Sequence, residues 1–474
     1  METATGPAVA APAVRRAGLP LRVREIACVF ALCAADVGGV FAAVGLGLLE
    51  RRIFDIFIDF PVLLVSWVEM ASMMSIVVLG GFLLRGVWLR RETFWETVRL
   101  TVTTVLVSMV AGVTVLYMVR ISTLAPRSLA VLSAANLVVL LPMLHGIVLW
   151  AMHRAGLWDR RVLLVAAGPE LDAAAADLES DFAVGFRVAA RREYRGPEDD
   201  VADAGAFDGV VVSGRGIPPA ELAEFVSHVQ GRARRVTVMP DLGDLPFGWG
   251  STRFLFEQRR ILMTTRNLLL EPANLVIKRT FDLVVGLLVF IPAAPLLAAL
   301  ALAVKLDSRG PAFLRQERLG RGGRRFRCLK LRTMVLDAEE RLAEVLKDPE
   351  AKREWDTYRK LKNDPRVTRV GRFLRATSLD ELPQIVNVLA GDMSLVGPRP
   401  YLPREEEDMG GSGKHILRCR PGVTGLWQIS GRTEVSFEGR LALESWYVRN
   451  WSLWVDVTIL LRTLPAVLGR RGAH

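Results

Sequence analysis

Apolar residues in this chain are gathered into blocks, and the blocks decide its architecture. Four segments, near 26–49, 61–84, 100–119 and 129–150, hold few charges, and each has the ~20 residues that a helix needs to cross a hydrocarbon core. The first is too long, and too poor in a small-residue cleavage site, to be a removable signal peptide, so it stays in the protein. Arg15, Arg16, Arg22 and Arg24 precede it; Arg85, Arg90, Arg91 and Arg99 lie between the second and third; His153, Arg154, Arg160 and Arg161 follow the fourth. Loops 50–60 and 120–128 are less basic, so the positive-inside rule puts both ends of the bundle in the cytoplasm. The Ala/Pro/Arg-rich residues 1–24 are expected to be disordered. Asp36 and Glu69 sit inside apolar segments, where a charge is costly. Either is accounted for by being neutral or by bonding a neighbouring helix, so neither is given a role.

A chain of 474 residues is too long for one ordinary domain. From 160 to 240 short apolar strands alternate with helical runs, which reads as a small parallel α/β domain over 158–245. Its first strand–helix turn is Ala-Ala-Gly168-Pro169-Glu170. A dinucleotide fold needs Gly-x-Gly-x-x-Gly there, so that the backbone can approach a pyrophosphate. One glycine and a proline argue instead for a packing or regulatory module. Residues 246–274 read as a linker.

A fifth apolar run extends from Phe281 to Val304, with Lys278 and Arg279 before it and Lys305 and Arg309 after it. A plain span, the alternative, would carry that second basic cluster to the far side. Pro292 and Pro295 lie near its midpoint, and proline removes a helical bond and clashes with the preceding turn. The run is read as a re-entrant helix over 280–305 that breaks at the prolines and returns to the same side.

The net charge of +11 points to nucleic acid, anionic lipid or phosphorylated substrates. With no zinc-finger spacing, aromatic RNA-binding motif or isolated recognition helix, nucleic acid is disfavoured. Cys28, Cys33, Cys328 and Cys419 form no Cys-x-x-Cys pair, which argues against a disulfide framework and a zinc site. Gly320-Arg-Gly-Gly reads as the turn of a basic hairpin. Lys330 and Arg332, one strand period apart, should share a face that suits phosphate. Residues 335–362 read as a charged surface helix, in which the Tyr358/Lys362 spacing is a coincidence. Thr377-Ser-Leu-Asp-Glu-Leu-Pro-Gln puts Asp380 and Glu381 at a helix start, and Arg399 follows in the turn Gly-Pro-Arg-Pro. The plain alternative is a capping box between Ser378 and Glu381. Trp446, Tyr447, Trp451 and Trp454, scattered over 446–467, read as an interfacial helix.

Lys278-Arg-Thr-Phe-Asp, the proline-bearing apolar helix, Lys330-Leu-Arg-Thr-Met, Thr377-Ser-Leu-Asp-Glu-Leu-Pro-Gln, Gly391-Asp-Met-Ser-Leu-Val-Gly-Pro-Arg-Pro and Pro421-Gly-Val-Thr-Gly-Leu-Trp-Gln together resemble the bacterial sugar transferase family. These are monotopic phosphoglycosyl transferases, and the resemblance covers 275–474. Its long form implies a membrane α-helical bundle of four transmembrane helices (25–151), a small Rossmann-like α/β domain (158–245) and an α+β catalytic domain (275–474) with a re-entrant helix. The implied activity is transfer of a hexose 1-phosphate from a UDP-sugar to undecaprenyl phosphate, with release of UMP. That is the first membrane step of exopolysaccharide, capsule or O-antigen synthesis. The implied place is the bacterial inner membrane, multi-pass, in contact with its lipid and with the catalytic domain on the cytoplasmic face.

By the same resemblance Asp380 is the nucleophile, kept ionised by a helix N-terminus, and Glu381 holds Mg²⁺. Lys330, Arg332, Arg375 and Arg399 are the candidates for neutralising phosphates. Pro398-Arg-Pro-Tyr-Leu-Pro-Arg-Glu and the segment from Leu453-Trp-Val-Asp look most like galactose-specific members, although glucose-specific ones are close enough to leave the sugar open. The oligomeric state is also open, with a homodimer as one candidate. Two rivals are a membrane-anchored nucleotide-sugar dehydratase or epimerase, which needs a complete glycine fingerprint, and a non-catalytic scaffold, which leaves the carboxylate pair and the arginines without a purpose.

Overall fold

The computed structural model describes residues 21–54, 67–118, 127–199, 201–241, 251–255, 260–264, 267–348, 352–353, 364–430 and 435–468. The chain divides into two compact units, Met1–Gly243 and Asp244–His474.

In the first unit four helices, α1 (Leu21–Phe54), α2 (Trp67–Arg85), α3 (Phe94–Met118) and α4 (Arg127–Arg154), pack together. Val40, Val44, Met70, Val78, Phe82, Leu137 and Leu141 form their shared core. Phe30, Ile76, Leu84 and Val131 point outward, so the helices are apolar on both sides, as membrane helices are. All four are long and apolar enough to cross a membrane. Asp36 is fully buried, accepting from Trp88 Nε1 at 2.7 Å and lying 3.4 Å from His145 Nδ1 of α4. Leu21–Arg24, expected in a disordered stretch, are instead the first turn of α1. Arg24 pairs with Asp208 at 3.0 Å and the next residue, Glu25, with Arg160 at 2.8 Å, which ties that turn to the α/β region.

That region has strands β1 (Arg160–Ala166), β2 (Phe186–Glu193), β3 (Gly209–Ser213) and β4 (Val236–Met239), all parallel in the order β2-β1-β3-β4. Side chains alternate across β1. Leu163 and Val165 face helix α6 (Pro219–Gln230), and Val162 and Leu164 face α5 (Leu171–Glu179). At the turn after β1, a Cβ on Gly168 would meet Glu193 Oε1 at 2.3 Å. A carboxylate therefore occupies the approach that a pyrophosphate would need.

The second unit begins with a hairpin of β5 (Ser251–Leu255) and β6 (Arg260–Thr264), so the stretch expected to be a linker over 246–274 contains paired strands. Helix α7 (Pro272–Asp307) follows as one unbroken helix of 36 residues with both prolines inside it. The chain stays helical through Pro292 and Pro295, where a break was expected. Near its start, Lys278 and Asp282 are buried and bonded to strand β9 (Ser394–Val396). Near its end, Val304 packs with Leu331 and Leu374, and Asp307 accepts from Val370 N. Between them Leu287, Leu288 and Ile291 are exposed.

Strands β7 (Phe313–Leu319) and β8 (Arg325–Leu331) form the expected basic hairpin. Of the charged run 335–362, residues Ala338–Val345 are helix α8, and Tyr358 and Lys362 lie outside the described residues. Helices α9 (Arg369–Thr377) and α10 (Gln384–Ala390), strands β9 and β10 (Gly422–Thr424), and helices α11 (Gly410–Ile416), α12 (Leu426–Ile429), α13 (Phe437–Arg449) and α14 (Leu453–Leu468) complete the unit. The single interfacial helix expected over 446–467 is two helices, and two of its aromatic residues face inward. Tyr447 and Trp451 are buried, and both donate to the carboxylate of Asp456. Their polar tips found an internal partner instead of headgroups.

Candidate active site

The site is built where α9 meets the end of β8. Thr368 caps α9, its Oγ1 accepting from Gly371 N at 3.0 Å. Gly371 lies directly on the backbone after β8, where a Cβ would stand 2.1 Å from Thr333 O. This contact brings Arg375 Nε to Thr333 Oγ1 at 2.9 Å. The helix ends at Ser378 with φ 56°, the one non-glycine residue with positive φ among the described residues. Such a conformation costs roughly 1–2 kcal/mol, and it tends to persist where a site requires it. Here it turns the chain into a short 3₁₀ turn, Leu379–Glu381, which leads through Leu382 and Pro383, both helical in backbone angles, to Gln384.

The helix start expected at Asp380 takes the form of this 3₁₀ turn, with Asp380 and Glu381 in it, and the α-helix proper, α10, opens at Gln384. The alternative capping box does not form, because Ser378 makes no side-chain cap bond. Glu381 is turned to Lys330, whose Nζ donates to Oε1 at 2.6 Å. Asp380 beside it is half-buried. Burial pushes its carboxyl above the ordinary value and adjacent Glu381 adds to this, while Lys330 and Arg375 act in the opposite sense. Desolvation, and not a helix dipole, dominates this carboxylate.

Arg332 does not join Lys330. It lies beyond the strand's last residue, so the period-two rule no longer aims it. Its buried guanidinium donates to Ser308 O at 2.8 Å and to Arg309 O, closing the C-terminal end of α7.

Arg399 sits in the turn after β9. Strands β9 and β10 pair in parallel, and a Cβ on Gly425 would lie 2.2 Å from Gly397 O. Only glycine permits that approach, which sets Arg399 beside Trp427, with Cζ 5.7 Å from the ring centroid. Arg318 of β7 links the two halves of the site. It donates to Pro400 O at 3.1 Å, and its guanidinium lies within electrostatic reach of both Arg399 and Glu381.

A model of the bacterial sugar transferase family matches residues 273–470. The chain is 34% identical over 425 residues to the UDP-galactose-lipid carrier transferase of Erwinia amylovora, covering 85% of this chain and 87% of that one. It is 37% identical over 360 residues to the undecaprenyl-phosphate galactose phosphotransferase of Salmonella typhimurium, covering 71% and 74%. With the undecaprenyl-phosphate glucose phosphotransferase of Komagataeibacter xylinus it shares 33% identity over 340 residues, 66% and 60%. This chain belongs to the bacterial sugar transferase family. It is an enzyme.

The oxygens of Asp380 and Glu381 are candidate metal ligands in this sugar transferase's site, and among the described residues no group of three or more His, Cys, Asp or Glu surrounds a common point. Two carboxylates fit Mg²⁺, which binds through one or two of them, substrate phosphates and water.

The structure adds groups that sequence reasoning missed: Thr333, Arg318, Trp427, Tyr401, Arg440 and Glu444. Arg399 N donates to Glu444 Oε1 at 2.9 Å, and Tyr401 Oη donates to Oε2. The available signal for Glu444 was a lone carboxylate behind Leu441-Ala442-Leu443, a position that an apolar run gives a charge only when it has a partner.

Proposed function

We propose that this sugar transferase moves a hexose 1-phosphate, with galactose or glucose as the hexose, from a UDP-sugar to undecaprenyl phosphate through a phosphosugar carried on Asp380. The observation that carries this reading is the half-buried carboxylate of Asp380, held in a strained turn between Glu381, Lys330 and Arg375. An Asp oxygen attacks the sugar-bearing phosphorus, and the bond from that phosphorus to the bridging oxygen breaks. UMP leaves with the electron pair. A phosphate oxygen of undecaprenyl phosphate then attacks the same phosphorus, freeing the carboxylate and forming the diphosphate. Covalent transfer splits one difficult step into two.

Burial strips water from the nucleophile, and Lys330 and Arg375 offset the repulsion between two anions. Glu381, with Asp380 adjacent, would hold Mg²⁺, and the ion would supply further neutralisation of phosphate charge. The wider setting is the first membrane step of a surface polysaccharide, at the inner membrane. The first four helices span it with their basic ends in the cytoplasm.

Helix α7 supports a one-sided arrangement of the second unit. Its two ends are bonded to the same folded unit, through Lys278 and Asp282 at one end and Asp307 at the other. A spanning helix would have them on opposite sides of ~30 Å of hydrocarbon. The exposed apolar residues between them then lie in one leaflet, beneath the headgroup level at which the acceptor's phosphate is found.

The test is UMP release from a UDP-sugar by membranes containing the full chain, with Mg²⁺ and undecaprenyl phosphate. Asp380→Asn should lower it by more than about a thousandfold at unchanged protein level, and a radiolabelled sugar should become attached to the wild-type chain at Asp380. Release of UDP in place of UMP, or full activity in the variant, would sink the reading.

A further inference from the structure

The tip of the basic hairpin has no task in the transfer chemistry, yet it closes one side of a pocket. Gly322 and Gly323 have φ of 70° and 75°, a left-handed turn that glycine adopts at no steric cost. Through this turn Gly322 N donates to Leu417 O at 2.7 Å and Arg321 Nε to Arg418 O at 3.1 Å, which seats the tip on the loop after α11. Between them and the start of α7 lies a pocket of about 250 Å³. Leu269 and Val448 are buried and form its floor with half-buried Leu275, while Arg321 and Arg418 are exposed and form its rim.

The polar part of the lining offers donors alone. Asn267 accepts from Leu269 N at 3.1 Å with its side-chain oxygen, which leaves the amide N–H groups for the pocket. The S–H of Cys419 donates to Ile416 O, and burial pushes that thiol up to about 12, so it stays neutral. Among the described residues that line the pocket there is no carboxylate, and the Arg418 guanidinium has no hydrogen-bonded partner among the described residues. Burial lowers the proton affinity of Arg420 next to the pocket, and repulsion from Arg279 and Arg321 lowers it further, while Asp282 and Asp392 act in the opposite sense. Those two carboxylates accept from Ser394, Leu395 and Asn387. Glu406 approaches the turn at Gly323, where a Cβ would lie 3.7 Å from its Oε1, and is not part of the lining. Donors with surplus positive charge suit an acceptor-only anion.

Leu275 sets the level of the pocket. It precedes Lys278 by three residues and Phe281, where the apolar run begins, by six, which is about 5 Å and about 9 Å along a helix. The headgroup layer of a bilayer is about 5–8 Å thick. Val276 and Ile277, beside Leu275, are exposed, so this turn of α7 already carries apolar surface for lipid to cover. The volume is below the roughly 300–1,000 Å³ of ordinary small-molecule sites and suits a headgroup whose chains stay outside.

We propose that this pocket binds the headgroup phosphate of an anionic phospholipid, with Arg321 and Arg418 on the phosphate oxygens and Leu269, Leu275 and Val448 against the glycerol. The inference rests on α7 entering a membrane, for which it is long and apolar enough, and not on the transfer chemistry. The site is separate from the reacting carboxylates: Lys330 stands five residues along β8 from Arg325, about 17 Å of strand away from the tip. Bound lipid fixes the tip at the membrane surface while the other end of the same hairpin presents Lys330 to Glu381.

The experiment follows thermal unfolding of the full chain in neutral detergent micelles during titration with dioctanoyl phosphatidylglycerol, dioctanoyl phosphatidylcholine or inorganic phosphate. Phosphatidylglycerol should raise the unfolding temperature in a saturable way, and the other two should not at the same concentrations. Its apparent Kd should rise about fivefold in Arg418→Ala and in Arg321→Ala, the worth of one basic group at a lipid surface, and by more in the double variant. Arg418→Lys keeps the charge and should stay within about twofold of the wild type. Without lipid the variants should unfold within a few degrees of the wild type, as substitutions of exposed side chains do; a folding defect in one single variant leaves the other to decide. An unchanged Kd in the variants would overturn the proposal, because the lipid would then be bound elsewhere on the chain. Equal stabilisation by phosphatidylcholine would overturn it as well. So would inorganic phosphate that matches phosphatidylglycerol and loses its effect in Arg418→Ala, which would assign the pocket to a free phosphate. UMP release, which tests the transferase reading, is measured separately and does not enter this comparison.

Discussion

Lys330 Nζ donates to Glu381 Oε1 at 2.6 Å, and this single contact separates the two adjacent carboxylates into different roles. Glu381 is paired and partly solvated. Asp380 is left with a desolvated carboxyl whose neighbours oppose one another, Glu381 favouring the protonated form and Lys330 the charged one.

Replacing that lysine should therefore move the acid side of the pH–rate profile. The nucleophile must be ionised, so activity falls as pH drops through the carboxyl's raised pKa. Lys330 holds that pKa down against burial, so in Lys330→Gln the limb moves to higher pH, and Arg375→Gln moves it in the same direction. At neutral pH we expect kcat/KM to fall about a hundredfold, the usual cost of one electrostatic partner in an active site. A profile of kcat/KM between pH 5 and 9 checks this, and an unmoved limb would separate Lys330 from Asp380.

Ser378 gives a prediction of the opposite kind, in which a change at the site is tolerated. Its φ of 56° suits glycine, so Ser378→Gly should keep both the turn and the UMP release. A β-branched side chain there is strained, and Ser378→Val should cost about 1–2 kcal/mol or more. Unfolding in denaturant measures the stability, and the activity ratio of the two variants shows whether the turn aims Asp380.

Much of this architecture was legible because it follows from local rules. The apolar blocks gave α1 to α4, the alternation of strands and helices gave the parallel sheet, and Gly320-Arg-Gly-Gly gave the β7–β8 hairpin. Motif order gave Asp380, Glu381 and Arg399. What was not legible depends on tertiary contacts. Arg332 belongs by spacing to the face of Lys330, but it is claimed by the carbonyls of Ser308 and Arg309. Tyr447 and Trp451 look like headgroup residues until Asp456, buried between them, accepts both of their donors. The left-handed serine that opens the turn at Asp380 was also not legible, because no propensity favours it.

The same Asp456 supports a test of how the arginine turn is held. Lys278 Nζ donates to Asp456 Oδ2 at 2.6 Å and to Val396 O at 3.0 Å, three residues before Arg399, and both side chains of the ion pair are buried. Removing one partner leaves an uncompensated buried charge, which typically costs about 3–5 kcal/mol. Lys278→Met should therefore destabilise the protein by that order, more than the exposed pair Arg341–Asp337, which should contribute no more than about 1 kcal/mol. Thermal unfolding of Lys278→Met and Arg341→Ala in one detergent compares them directly, and equal losses would contradict the buried network.

Glu444 should make stability itself depend on pH. It is 2% exposed, and burial pushes its carboxyl up to about 7 from an ordinary 4.5, against the opposing bonds from Tyr401 and the Arg399 amide and the charges of Arg440 and Arg399. A carboxyl whose pKa is higher in the folded protein binds its proton more tightly there. Its contribution to stability is thus fully present below about pH 4.5 and is lost as pH rises through about 7. At roughly 1.4 kcal/mol per pH unit the difference amounts to about 3 kcal/mol. Glu444→Gln cannot titrate, so unfolding measurements on the full chain from pH 5 to 8 should show a downward slope in the wild type that is absent in the variant. Gln offers one acceptor oxygen where Glu offers two, so either Arg399 N or Tyr401 Oη loses its partner, at a cost of about 1–3 kcal/mol across the whole range. Parallel pH curves for the two proteins would mean that Glu444 does not titrate in this window.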